Sequence, residues 1–380
     1  MAWLTGESGA APDFSRCGIM VESDRIADSI EARLGVAVDP VAELTGRAAI
    51  AGLARRGRIS AGGSTRLMRY SDGWFALTLS REDDVAAVPA LVGDDSDADP
   101  WQRVEQWAST RAVAEVVERC ALLDLPFGVL GEASVGAVSR RDLWPRRDAR
   151  GIDGLLVADL TSMWAGPLCG RILADAGATV VKVENRSRPD GTRFGDSAVF
   201  DMVNRGKLSY AVDLDRDDDA VRRLLGTADI VLEGSRPRAL KRRRLDADSL
   251  PPRAGRIWLR ISGHGPGSDR TAFGDDAAVA GGLVGRAPSG PVFCGDAIAD
   301  PLTGLESALA VGESLASGGG HLIDVAMAGV AARYAAVPLH PSSAGCEVVP
   351  PARPAPSPPG PALGADNDHV ENLVLQRFAC

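Results

Sequence analysis

The chain has 380 residues, 45% hydrophobic and 24% charged, with a net charge of −9, a balance that supports a substantial core and more than one domain. Its acidity excludes a general nucleic-acid binder, which needs a basic face, and no apolar run reaches the ~18 residues of a membrane span. The opening MAWLTGESGAAPDFSR has no basic stretch followed by an apolar one, so no signal peptide and a cytoplasmic location are expected.

In chain order, a helix is predicted near Ser23–Leu34. A strand is predicted where Trp74, Ala76 and Thr78 alternate with Phe75, Leu77 and Leu79. Trp101–Leu123 carries Val104, Trp107, Val113, Val116, Val117 and Cys120 at helical spacing and is expected to be one amphipathic helix. LPFGVLGEASV reads as a short buried segment. The charged, proline-containing RRDLWPRRDARG, Arg140 to Gly151, marks a boundary. Strands are then expected at Leu155–Leu160, Thr179–Glu184, Ser209–Leu214, Ile230–Glu233 and Arg256–Ser262. Helices are expected at Pro167–Ala176, Asp217–Leu225 and Pro301–Ala316, with a final strand and helix in His321–Ala335. Such alternation predicts an α/β core with an open, mainly parallel sheet and flanking helices. The expected units are a smaller α+β N-terminal region (1–145), the α/β core (151–335) and an extended Pro-rich tail (336–380).

The six cysteines, Cys17, Cys120, Cys169, Cys294, Cys346 and Cys380, show no CxxC spacing, and the histidines His264, His321, His340 and His369 form no cluster. Free thiols and no metal site are therefore expected. RPRALKRRR, Arg236 to Arg244, is a basic exception, readable as a solvated helix end or as a phosphate clamp. The lysines are Lys182, Lys207 and Lys241 alone.

The turn TSMWAGP follows the first core strand, with Gly166 easing the turn and Pro167 expected at the first helical position. Loops at the carboxyl ends of parallel strands are where ligands bind, although a purely structural βαβ unit fits as well. Only Gly166 and Gly170 occur in place of GxGxxG, and no GxxxxGK[ST] is present, which disfavours a dinucleotide or a P-loop nucleotide. Asp300 precedes Pro301 and is expected to be a helix N-cap, held ionised by the positive helix end.

Seven segments in order, VADLTSMWAGPLCGRILADAGATVVKVE, DGTRFG, NRGKLSYAVDLD, ADIVLEGSRP, ISGHGPG, AIADPLTGL and GGGHLIDVAM, cover about Gly154 to Val330. Together they resemble the core of the family III CoA-transferases, the CaiB/BaiF family. Residues 42–132 resemble what normally follows that core, and PPGPALGADNDHV resembles the family's usual ending, so the chain looks like a rearranged member. The resemblance implies transfer of CoA between an acyl-CoA and a carboxylic acid, through aspartyl-anhydride and aspartyl-CoA intermediates. It implies Asp300 as nucleophile, Arg193 and Lys207 as CoA-phosphate contacts, and Arg242, Met163 and Trp164 as further CoA-binding positions. CoA would be a substrate rather than a prosthetic group, and a homodimer is implied.

Three departures stand out. Trp164 occupies a position that relatives often give to a smaller or polar residue, Gly234 one that many give to asparagine, and Gly274-Asp275-Asp276 replaces the GHD-type motif of the racemase branch. The loss of that histidine leaves α-methylacyl-CoA racemase as an alternative, since adjacent anions oppose an enolate. A CoA-binding protein without catalysis is a third. His264, in the ISGHGPG turn, is expected to be structural.

Overall fold

The structure is a computed structural model that describes residues 1–213, 216–234, 237–341 and 347–378. Leu214, Ser235, Arg236, Cys346 and Cys380, named above, lie outside these. Helices α1 (Gly18–Leu34) and α2 (Pro40–Ala51) open the chain. An antiparallel sheet of β1 (Thr65–Tyr70), β2 (Gly73–Thr78) and β3 (Phe127–Val129) follows. Between β2 and β3 lie α3 (Glu82–Ala86), α4 (Val88–Val92), α5 (Pro100–Ala108) and α6 (Val113–Leu122). This unit has its own core, built from Phe75, Leu77, Val104, Trp107, Val116, Cys120 and Phe127.

The expected helix over Trp101–Leu123 is thus two helices. The Ser109 hydroxyl bonds the Gln106 carbonyl at 2.8 Å and the Thr110 hydroxyl the Trp107 carbonyl at 3.4 Å, local bonds that compete with helix continuation.

The second part runs β4 (Val138–Asp142), β5 (Leu156–Leu160), α7 (Ala165–Asp175), β6 (Thr179–Asn185), α8 (Ser197–Asn204), β7 (Leu208–Val212), α9 (Asp218–Thr227), β8 (Ile230–Glu233), α10 (Pro237–Arg242) and β9 (Ile257–Ser262). It continues through α11 (Gly274–Ala280), the hairpin β10 (Val284–Ala287) and β11 (Gly290–Phe293), α12 (Ala299–Ala316), β12 (His321–Ala326), α13 (Met327–Ala335) and α14 (Asn367–Phe378). Among the described residues, seven strands form one sheet in the order β4-β12-β9-β8-β5-β6-β7. All neighbours are parallel except β4, which pairs antiparallel with β12. The chain is therefore α/β with a mainly parallel sheet and smaller antiparallel sheets.

Period-two alternation divides the strands between two cores. Val157, Ile230, Leu232, Ile257 and Leu259 face α1, α7, α12 and α13. Leu156, Ala158, Val231 and Trp258 face the side covered by α9 and α14. Packing runs across the sequence boundary at 140–151. Strand β4 is an edge of the main sheet, and Ile19, Ile26, Ile30 and Leu34 of α1 belong to the core that holds Leu302, Val311 and Leu315 of α12.

The Pro-rich tail folds back on its own chain and ends in α14, a helix the sequence reading did not anticipate. Gly360 N–H donates to Asp201 Oδ1 at 2.7 Å. At edge strand β7, Ser209 N–H donates to Asp366 Oδ2 at 2.8 Å, Ala211 N–H to Asn367 Oδ1 at 3.0 Å, and Asn367 Nδ2 to the Ala211 carbonyl at 2.8 Å. These side chains occupy edge groups that would otherwise be open to another strand. Asp366→Ala is expected to lower stability by about 1–2 kcal/mol, read as a lower urea midpoint, with Asp366→Asn retaining most of it. An unchanged midpoint in Asp366→Ala would show that water replaces the cap without cost.

Candidate active site

Strand β5 ends in two buried residues whose polar atoms are all used internally. Asp159 Oδ1 accepts the Thr161 N–H at 3.0 Å and the Thr161 hydroxyl. Lys207 Nζ donates to Asp159 Oδ2 at 2.8 Å, to the Pro167 carbonyl at 2.8 Å and to Asn204 Oδ1 at 3.0 Å. An ammonium group has three donors, and all three of Lys207 are directed at these internal acceptors. Burial, opposed by Asp159, brings its pKa down to about 8. Gly170 is required beside this pair, because a Cβ there would lie 2.7 Å from Asp159 Oδ2. The Gly166/Gly170 spacing thus serves helix–strand contact. Lys182 is likewise buried, on Asp190 Oδ2 at 2.7 Å and the Thr161 carbonyl at 3.1 Å.

Arg193 is also engaged. It pairs with Glu184 (Nε–Oε1 2.8 Å, Nη2–Oε2 2.6 Å), donates Nη1 to the Pro361 carbonyl at 3.0 Å and lies 4.1 Å from the Phe200 ring centroid. These contacts link β6 to the tail. Arg242 is exposed at the end of α10. Met163 is 41% exposed with φ 71°, its N–H held by the Asp190 carboxylate at 3.2 Å.

Asp300 lies elsewhere, where α12 starts. The helix begins at Ala299 with Ile298 as its cap, so Asp300 is the second helical residue, not the N-cap. Pro167 is likewise third in α7. Both helices start two residues earlier than a first-position proline implies, since none of the first-turn N–H groups has a helical partner and proline fits throughout that turn. Gly304, one turn further on, lets α12 cross close to α7: a Cβ there would lie 2.8 Å from the Ala165 carbonyl oxygen and from Leu168 Cδ2. That crossing brings the start of α12 to the start of α7, whose cap is Trp164.

Three further aspartates surround Asp300. Asp275 and Asp276 open α11, and Asp296 lies in the turn before α12. Asp275 Oδ1 accepts the N–H of Ala297 at 2.9 Å, and Ala297 is held at φ 43°, a strained setting for a residue with a Cβ. Asp276 Oδ2 accepts the Thr78 hydroxyl at 2.7 Å and the Phe273 N–H at 3.1 Å. A Cβ on Gly274 would collide with Asp300 Oδ2, so only glycine lets α11 approach the carboxylate. Arg47 of α2 donates Nη1 to Asp296 Oδ1 at 2.7 Å and lies over the Trp164 ring, 5.4 Å from its centroid. Asp296 Oδ2 and Trp164 Nε1 are buried without a hydrogen-bond partner.

Burial dominates the electrostatics. It pushes the half-buried Asp300 carboxyl up to about 7, opposed by the Arg47 charge and reinforced by Asp275 and Asp296. Burial also takes Asp275 to about 6, with Asp296 adding to it, and Asp276 to about 8 against its Thr78 hydrogen bond. Asp296 is raised by burial and lowered by Arg47. The expectation that the helix end keeps Asp300 fully ionised is thus corrected, because loss of solvation outweighs the dipole. Among the described residues, no group of three or more His, Cys, Asp or Glu side chains is arranged to hold a metal ion. Nor is any helix there long and apolar enough to cross a membrane. Cys17, Cys120, Cys169 and Cys294 are free, and burial pushes the Cys120 thiol up to about 12 and Cys294 up to about 11.

Residues 152–356 match the family model described as CoA-transferase family III, which is more than half of the chain. The chain belongs to CoA-transferase family III. It is 35% identical over 204 residues to a succinate–glutarate CoA-transferase of Agrobacterium fabrum, covering 46% of this chain and 50% of that one. It is 30% identical over 200 residues to a formyl-CoA:oxalate CoA-transferase of Afipia carboxidovorans, covering 47% of each. The crystal structure of Rv3272 from Mycobacterium tuberculosis aligns at 31% identity with a TM-score of 0.44, over 50% of this chain and 56% of that one. The chain spans about half the length of the curated relatives it matches. Asp275, Asp276, Asp296, Asp300 and Trp164 fall inside the matched segment; Arg47 does not.

Two outcomes follow from these burials. Lys207→Met is expected to destabilise the fold by about 3–5 kcal/mol by leaving Asp159 buried without its partner, seen in urea melts. The raised aspartates hold protons in the native state that the unfolded chain releases above about pH 4, so their contribution to stability falls as pH rises from about 4 to about 8. Asp276→Asn is therefore expected to gain stability relative to wild type between pH 5.5 and pH 8. A pH-independent difference would show that Asp276 is ionised throughout.

Proposed function

We propose that this protein transfers CoA between an acyl-CoA thioester and a carboxylic acid, with Asp300 as nucleophile. The observation that carries this reading is the Asp300 carboxylate itself, half-buried at the start of α12, inside the segment that matches the family. The Asp300 carboxylate attacks the acyl carbonyl and CoA leaves as thiolate, giving a mixed anhydride. The thiolate then attacks the aspartyl carbonyl, releasing the first acid and leaving an aspartyl-CoA thioester. An acceptor carboxylate attacks that thioester, forming a second anhydride and freeing the thiolate again. The returning thiolate takes the new acyl group and restores Asp300. Poor solvation favours each step, since a desolvated carboxylate is a stronger nucleophile and water competes less for the anhydride.

Several relatives bear names that pair CoA with succinate, glutarate, mesaconate or oxalate, which makes short dicarboxylic acids the first acceptors to try. Arg193, Lys207 and Arg242 are the expected cations for CoA's phosphates, Arg242 being the exposed one, with Met163 and Trp164 at the β5–α7 turn. A homodimer and the three-part division at 145–151 and 335–336 belong to the same proposal. Racemisation is the weaker reading, because Asp275 Oδ1 already holds the Ala297 N–H at 2.9 Å and Asp276 is bonded to Thr78 at 2.7 Å. Neither carboxyl is free to exchange a proton with substrate.

Intact mass spectrometry after incubation with a panel of acyl-CoAs is expected to show a covalent adduct in wild type and none in Asp300→Ala. Its rate is expected to rise with pH through about 7, as Asp300 ionises. An adduct that survives in Asp300→Ala would remove Asp300 from the chemistry. Deuterium uptake at the α-carbon of a 2-methylacyl-CoA, with no adduct and no acceptor acid, would replace transfer by racemisation.

A further inference from the structure

The charge at the site is unbalanced within the family segment and balanced from outside it. Asp275, Asp276, Asp296 and Asp300 converge there, and the cation that acts on Asp300, Asp275 and Asp296 is Arg47 of α2. Helix α2 is fixed at both ends of this contact. Asp39 caps it, with Oδ1 accepting the Val41 N–H at 2.9 Å, and Pro40 fills its first position. Glu43 is buried and ion-paired to Arg171 of α7. Arg47 follows Glu43 by four residues and so leaves the same face of the helix. Its guanidinium meets Asp296 at 2.7 Å and the Trp164 ring at 5.4 Å.

We propose that Arg47 is a positioning residue for the transfer reaction: seated between Asp296 and Trp164, it places the positive charge that holds the Asp300 nucleophile in its anionic, attacking form. The proposal rests on the transferase reading above. The N-terminal region thereby completes the site through one side chain. Asp296, whose Oδ2 has no partner, is the anchor that keeps the guanidinium in place, at the cost of a second negative charge near the nucleophile. The groups facing Asp300 are then Arg47 from α2, Asp275 and Asp276 from α11, Asp296 from the preceding turn and the Gly274 N–H.

The test measures single-turnover adduct formation by intact mass from pH 5.5 to 9.5, in wild type, Arg47→Gln, Arg47→Met and Arg47→Lys. In parallel, the Asp300 carboxyl is titrated by carbon-13 NMR as the difference from Asp300→Asn. Arg47→Gln is expected to raise both midpoints by about one pH unit, a roughly tenfold smaller anionic fraction below the midpoint, with the rate recovering at high pH. Arg47→Lys is expected to restore most of the shift. A uniform loss of rate in Arg47→Gln with unmoved midpoints would overturn the proposal, as would Arg47→Lys behaving like Arg47→Gln. Should Arg47→Gln fail to fold, Arg47→Met, which keeps an apolar stem at the Trp164 ring without the charge, is titrated by NMR in its place, and an unmoved midpoint in it overturns the proposal. A wild type with no adduct on any acyl-CoA sinks the transferase reading, while the NMR midpoints separately report whether Arg47 sets the charge of Asp300.

Discussion

Four carboxyl groups share a volume from which solvent is largely excluded, and like charges so placed cannot all ionise. Most of the local structure at the start of α12 follows from that constraint. Each aspartate is given a different means of being there. Asp276 is fully enclosed and hydrogen-bonded to Thr78 and Phe273. Asp275 spends one oxygen on the N–H of Ala297 and so fixes the strained turn. Asp296 has an ion pair with Arg47. Asp275 and Asp300 are both partly exposed, with carboxyls raised to about 6 and about 7, so both change charge near neutral pH.

The cations of the β5–β6–β7 edge meet the opposite situation. Lys182 and Lys207 are buried among acceptors, on Asp190 and Asp159 respectively. Their ammonium groups join the carboxyl ends of adjacent strands to the loops that follow. Replacing either partner leaves a buried charge, so these pairs fix the shape of the β5–α7 turn. Met163 and Trp164 are the residues that turn presents, one exposed and the other covered by Arg47.

The alternation of strands and helices was legible because it depends on local hydrophobic period, and β8 coincides with Ile230–Glu233 as read from sequence. Asp300 stood out in the sequence as a candidate through motif resemblance, but its charge state did not, since burial by distant segments decides it. The internal partners of Lys207 and Arg193 were not legible, because a cation in a motif shows no sign of whether an internal carboxylate faces it. Arg47 carried no signal at all. It lies in PVAELTGRAAIA, an ordinary helical stretch, and its meaning arises only when α2 docks on α7 through Glu43 and Arg171. The split of Trp101–Leu123 was lost because side-chain hydroxyl bonds do not alter hydrophobic spacing.

Arrangement of segments along the chain matters less than the surfaces they bring together. Strand β4 enters the main sheet from the N-terminal side, α1 enters the main core, and the tail returns to close the β7 edge. Each contact is non-local and could be made from either direction of the chain, because edge pairing and helix packing do not depend on which segment comes first. A different order of segments would therefore preserve the α/β layers. In this chain α2 lies against the start of α12. A helix carrying both Glu43, which binds it to α7, and Arg47, which meets the aspartates, ties docking of the N-terminal region to the charge balance at Asp300.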